Sequence, residues 1–126
     1  VSFASAHEID AKGIAVCIKA CTQACAEKLC QDKEATKVFL DGGLSVSLDF
    51  NQESIIKGDE LIPVISLASI VAKVLRDEVM TNFGKDYPEY LFEKHKGYGT
   101  KAHMEAIKKY GLTELHRTSF LKGYIK

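Results

Sequence analysis

No run of apolar residues in this 126-residue sequence approaches the ~20 that a membrane-spanning helix requires. The N-terminus also lacks the charged-then-apolar pattern of a secretory signal, so a cytoplasmic setting without a membrane partner is the expectation. Net charge is absent as well: 17 Lys/Arg balance 17 Asp/Glu, which by itself argues against a general nucleic-acid binder. Cysteine is present but in no metal-binding pattern. Cys17, Cys21, Cys25 and Cys30 form no Cys-x-x-Cys pair and share one helical stretch. Residues four apart lie along one stripe and cannot wrap a tetrahedral zinc unaided, so buried core positions are expected for all four. Repeats, low-complexity segments and linkers are missing too, which leaves one domain over residues 1–126, long enough to bury a core without disulfides.

The charge that is present is unevenly distributed. From Lys94 to Lys126 eight Lys/Arg face two Asp/Glu, giving +6, and the preceding residues carry −6. Such separation suits a protein that holds metal ions at one place and a phosphate backbone at another, although solvated faces would give the same count.

Hydrophobic periodicity supplies the elements. Ser5-Ala-His-Glu8 has the form of a capping box and predicts a helix from about Ala6 to Cys30, weakened at Gly13, with Ile14, Ile18, Cys21, Cys25 and Leu29 as its buried stripe. Thr36–Asp41 reads as a buried strand stopped by Gly42-Gly43. Leu44, Val46 and Leu48 alternate with serines as a weaker strand, and Ser54–Lys57 is a further short one. After Pro63 the apolar residues Leu67, Ile70, Val71, Val74, Val79, Met80 and Phe83 follow a helical period up to Gly84. Tyr87–Tyr90 and Lys94–Gly99 read as connections. Thr100 caps a last helix running to about Tyr110, closed by Gly111. Strands interleaved with helices predict an α/β fold.

Asp41 ends a predicted strand and Asp59 follows another, each beside glycine. Ligands gather at the carboxyl edge of α/β sheets, and two carboxylates there are the minimum for a hard divalent cation. Acids beside glycine are also ordinary turn residues, so each alone is unspecific.

The wider pattern is more specific. Val38-Phe-Leu-Asp-Gly42, Lys57-Gly-Asp59, Ile62-Pro63, Ala68-Ser-Ile-Val-Ala-Lys-Val-Leu-Arg-Asp77, Tyr87-Pro88, His95-Lys-Gly-Tyr-Gly-Thr100 and His116-Arg117 occur in this order, with Glu8-Ile-Asp10 before the first helix. Together they resemble ribonuclease HII, the type 2 ribonuclease H, from about Ser5 to Phe120. The resemblance implies a ribonuclease H-like fold, a mixed sheet flanked by helices. It also implies metal-dependent endonuclease activity on RNA/DNA hybrids and at ribonucleotides embedded in duplex DNA, leaving 5′-phosphate and 3′-hydroxyl ends. By the same resemblance Asp41 and Asp59 are the third and fourth active-site acids, holding two Mg²⁺ or Mn²⁺ ions ~4 Å apart. Tyr98 is then the ring that stacks on the sugar at the RNA-to-DNA junction, with His95, Lys96 and Arg117 as candidate phosphate contacts. Ser69 is a candidate for the substrate side, while Asp77, paired with Lys73 four residues earlier, reads as a supporting group.

Family members begin with a strand carrying Asp-Glu-Ala-Gly-Arg-Gly, the source of two further acids, and that motif is nowhere in this sequence. The expectation is a domain lacking its N-terminal strands, inactive alone, with the missing segment as a possible partner. Two other readings stay open: a non-catalytic nucleic-acid-binding or scaffold remnant, and a related metal nuclease of different substrate.

Overall fold

Ser5 caps the first helix as its sequence dictates. Its hydroxyl accepts from Glu8 N at 3.2 Å, and its own N–H donates to the Glu8 carboxylate at 2.9 Å. The computed structural model describes residues 1–124, so Lys126 of the basic stretch lies outside the described residues. The expected single helix to Cys30 is two: α1 (Ala6–Lys12) and α2 (Ile14–Leu29), broken at Gly13, whose φ of 85° no helical residue adopts.

The strand pair is parallel: β1 (Lys37–Asp41) and β2 (Asn51–Ile55), with Asp41 opposite Ile55. β2 begins and ends earlier than the Ser54–Lys57 expectation; it cannot run on to Lys57 because that residue, at φ 57°, already turns the chain into the one-turn helix α3 (Gly58–Leu61). Residues 42–50 form a short crossover for parallel strands, and side chains occupy its backbone groups. The Gln52 amide brackets Val46 N and O at 2.9 and 3.1 Å, Ser54 Oγ donates to Leu44 O at 2.6 Å, and Gln23 Oε1 accepts from Ser47 N at 2.8 Å. That is why the strand expected at Leu44–Leu48 does not form. Val46 turns inward and Leu48 stays exposed.

The core here joins Ala26 of α2 to Leu40, Val46 and Phe50, with Cys30, Val38 and Leu44 at its margin. The stripe expected on α2 is not the buried one. Ile14, Ile18 and Leu29 are exposed, whereas Cys17 and Ala26 are buried. A two-stranded sheet offers a small surface, and small side chains approach it most closely. The four cysteines are free, but only Cys17 is fully buried, so the core assignment holds for it and only partly for Cys21, Cys25 and Cys30.

Helix α4 spans Pro63–Asp86, running through Gly84, where a side chain would meet Glu93 N at 3.2 Å. Its apolar stripe is only partly used: Leu67, Ile70, Val71, Val74 and Val79 are exposed, while Met80 and Phe83 pack on a second core of Tyr90, Phe92, Ala106, Ile107 and Leu121. The expected connections are in part helical: a 3₁₀ turn at Pro88–Tyr90 and α5 at Phe92–His95. Helix α6 (Lys101–Tyr110) matches expectation, with Thr100 Oγ1 accepting from His103 N and Gly111 at φ 89°. Two compact units result, Val1–Val71 and Ala72–Lys126, divided within α4. No helix among the described residues is long and apolar enough to cross a membrane.

Candidate active site

Asp41 is the last residue of β1, partly buried, and Asp59 is exposed in the first turn of α3. A direct tie joins the two places: Gly58 N donates to Asp41 Oδ1 at 2.7 Å, so the residue preceding Asp59 is fastened to the Asp41 carboxylate. This works because Gly58 is buried and bare. A Cβ there would sit 2.6 Å from Ile65 Cδ1 and 3.4 Å from Asp41 Oδ1. Gly58→Ala is therefore expected to cost about 1–3 kcal/mol by overpacking. Adding Ile65→Val, which removes the opposing methyl, should restore part of that loss in urea denaturation. Equal stability of Gly58→Ala and the parent would contradict the close approach.

Oxygen donors of this kind suit Mg²⁺ or Mn²⁺. In number they fall short of a complete centre: the described residues contain no group of three or more His, Cys, Asp or Glu side chains able to hold a metal ion. Ser69 lies exposed on α4, in the same unit as the two acids.

In the second unit the expected residues divide between surface and interior. Tyr98 is 56% exposed, with the Arg76 guanidinium 4.6 Å from its ring centroid. Arg76 in turn bonds Asp77 at 3.2 Å, and Lys73 reaches the same carboxylate at 2.6 Å. The Lys73 bond, followed by that of Arg76, holds Asp77 below the usual carboxylate range, and Asp77 raises Lys73. Asp77 thus orients the arginine that stacks on Tyr98. Sequence reading missed Arg76, although it stands beside Asp77 in the same motif. Lys96 and Asp77 line one open groove of about 470 Å³ with Val74, Glu78, Thr81 and Asn82. The Lys96 ammonium donates to Glu93 O.

His95 departs from its expected role as a phosphate contact. It is buried, with Nε2 on Tyr90 O at 2.7 Å and Nδ1 receiving Gly97 N–H at 3.2 Å, which leaves neither nitrogen for a phosphate. Arg117 is half-buried and lies over Phe120, 4.1 Å from the ring centroid. His103 and His116 are buried as well, their Nε2 atoms 3.1 Å apart.

A parallel strand pair with helices before and after it makes the first unit an α/β domain. The family model described as Ribonuclease HII matches residues 1–122. The chain is 46% identical over 124 residues to the ribonuclease HII of Sulfurovum sp. (strain NBC37-1), covering 98% of this chain and 63% of that protein. To that of Clostridium perfringens (strain 13 / Type A) it is 43% identical over 130 residues, covering 99% of this chain and 45% of the relative. To that of Desulforamulus reducens it is 52% identical over 86 residues, 68% of this chain and 43% of the relative. The chain belongs to the ribonuclease HII family, and its α/β architecture accords with a ribonuclease H-like fold. It spans less than two thirds of the length of these relatives.

Proposed function

We propose that residues 1–126 are part of a single catalytic domain of a cytoplasmic endonuclease. Its substrates are the RNA strand of RNA/DNA hybrids and ribonucleotides embedded in duplex DNA, cut to 5′-phosphate and 3′-hydroxyl ends. The observation that supports this reading is the tie from Gly58 N to Asp41 Oδ1, which fastens the residue before Asp59 to the Asp41 carboxylate in a member of this family. Asp41 and Asp59 are the residues that would hold Mg²⁺ or Mn²⁺, together with acids supplied by a further segment. When bound, such ions supply the attacking hydroxide and stabilise the departing 3′ oxygen. Asp41, fixed by its backbone donor, presents an oriented negative charge, and Asp59 adds a second from the start of α3. Tyr98 offers an exposed face to a sugar, and choosing RNA requires sensing its 2′-hydroxyl. Lys96, Arg117 and Ser69 are candidate substrate contacts.

Incision of a duplex with one ribonucleotide, compared with an all-DNA duplex in Mn²⁺, tests the reading. The full-length protein should cut only the first, and this chain alone should cut poorly or not at all. Tyr98→Ala should weaken binding of the ribonucleotide duplex by roughly tenfold, the value of one stacked base or sugar. Equal cutting of the all-DNA duplex would overturn the substrate assignment. The basic stretch from Lys94 to Lys126 favours a second reading, a nucleic-acid-binding module without chemistry. Salt-dependent binding of hybrids without cleavage, even in the full-length protein, would support it.

A further inference from the structure

Three histidines from three places in the second unit meet behind the Tyr98 loop. His95, His103 and His116 are 8%, 5% and 7% exposed. The His95 and His103 rings stack at 4.4 Å, and His103 and His116 lie 5.2 Å apart. Phe92 and Tyr90 complete the surroundings: Phe92 contacts all three rings, and Tyr90 faces His116 at 5.2 Å. The titratable groups in the cluster are thus the histidines themselves and Tyr90, whose hydroxyl donates to Gly111 O.

Backbone donors assign every proton. Thr113 N–H can only donate, and it points at His116 Nδ1 at 3.0 Å, with the Thr113 hydroxyl at 2.9 Å. His116 Nδ1 is therefore bare and its proton sits on Nε2. That proton is donated to His103 Nε2, so His103 carries its own on Nδ1 and gives it to Tyr98 O at 3.0 Å. A second chain follows the same logic. Gly97 N–H donates to His95 Nδ1, and His95 Nε2–H donates to Tyr90 O. Two stacked rings thereby grip successive residues of one loop, Gly97 by its N–H and Tyr98 by its carbonyl.

One added proton turns a ring's acceptor nitrogen into a second donor and sets it against the donor it faces. A charged His103 would turn Nε2–H toward the Nε2–H of His116. A charged His116 would oppose Thr113 N–H. We propose that His95, His103 and His116 are positioning residues for Tyr98, and that the loop holds a ribose-phosphate ligand firmly only while the His103 and His116 rings are neutral. The proposal rests on the reading of Tyr98 as a ligand contact.

Burial, the largest cause, holds His103 and His116 below their ordinary value of 6.5; neighbouring histidines lower both further. A lowered folded value means the unfolded chain takes up protons first. The stabilisation is therefore complete above about pH 6.5 and is lost as pH falls from there through the folded values.

Long-range ¹H–¹⁵N spectra of the full-length protein test the geometry directly. At neutral pH they should show His103 protonated on Nδ1, and His95 and His116 on Nε2. On acidification the Tyr98 amide should shift in step with the cluster. His103 protonated on Nε2, or charged at neutral pH, would overturn the proposal, and no substitution is needed to see it. Affinity for a duplex containing one ribonucleotide gives the functional arm. It should weaken about fivefold between pH 7.5 and 5.5, the worth of about one hydrogen bond. His103→Asn places an amide donor near the Nδ1 position and cannot titrate, so it should bind like the parent at neutral pH with the acid weakening reduced to the share carried by His116. His103→Phe keeps the ring without a donor and should bind about fivefold more weakly at neutral pH. If Tyr98→Ala binds like the parent, the reading of Tyr98 fails. If Tyr98→Ala weakens binding while both His103 variants keep the parent's pH profile, the positioning role fails and the Tyr98 reading stands.

Discussion

Replacing Asp41 by asparagine in the full-length protein is expected to lower the cleavage rate by about a thousandfold or more, with little change in stability. The two halves of this expectation come from different atoms. Asparagine keeps an oxygen at the Oδ1 position that can still accept from Gly58 N–H, now 2.7 Å from the carboxylate, so the turn from β2 into α3 should persist. What disappears is the negative charge. Charge stabilisation by a divalent cation contributes several kcal/mol to phosphodiester cleavage, and each 1.36 kcal/mol is about a factor of ten. Rates under single-turnover conditions at saturating Mn²⁺, alongside a urea transition, separate the effects. Ordinary turnover by Asp41→Asn would remove Asp41 from the metal site. A lost transition would instead assign it a structural role.

Phe92→Ala should destabilise the second unit by about 3–5 kcal/mol, the range for truncating a buried phenylalanine. Phe92 is 1% exposed and lies nearly parallel to Tyr90, with centroids 5.5 Å apart and an interplanar angle of 8°. Its other ring contacts are the three histidines, with centroids at 5.6 to 5.9 Å. Removing it leaves a cavity between those polar rings and the apolar core of Tyr90, Ala106, Ile107 and Leu121. Phe92→Leu, which keeps most of the volume, should cost less than about 1.5 kcal/mol. Denaturation followed by circular dichroism checks both. Equal costs would show that the site relaxes around the missing ring.

Local rules made β1, α6 and the Ser5 capping box readable, because each depends on residues within a few positions of itself. The bulk of α4 followed from its period for the same reason. What the period does not carry is the partner. Leu67, Ile70 and Val71 have helical spacing that implies burial, yet they are exposed, because burial depends on what else is packed there. The break at Gly13 depended on one backbone angle, and a glycine inside a helix pattern permits either outcome. In the candidate site, Asp41 and Asp59 were legible as acids after strand ends, whereas the tie through Gly58 was not, being a contact across 17 residues. His95 was misread for a physical reason. Next to Lys96 and Tyr98 in a loop, an exposed imidazole is the ordinary expectation, and only tertiary packing shows that its nitrogens are taken by Tyr90 and Gly97. Arg76 illustrates the converse, a side chain that gains meaning only when the loop lands on it.

The bond to Gly58 also restricts how the Asp41 side chain can rotate. With one oxygen engaged by a rigid amide, the other is aimed along a single direction before any ion arrives. A cation held at Asp41, as proposed, would meet a donor whose orientational freedom was already surrendered during folding. Association should accordingly carry a smaller entropic penalty at Asp41 than at the solvent-exposed Asp59, whose carboxylate must be immobilised at the moment of capture.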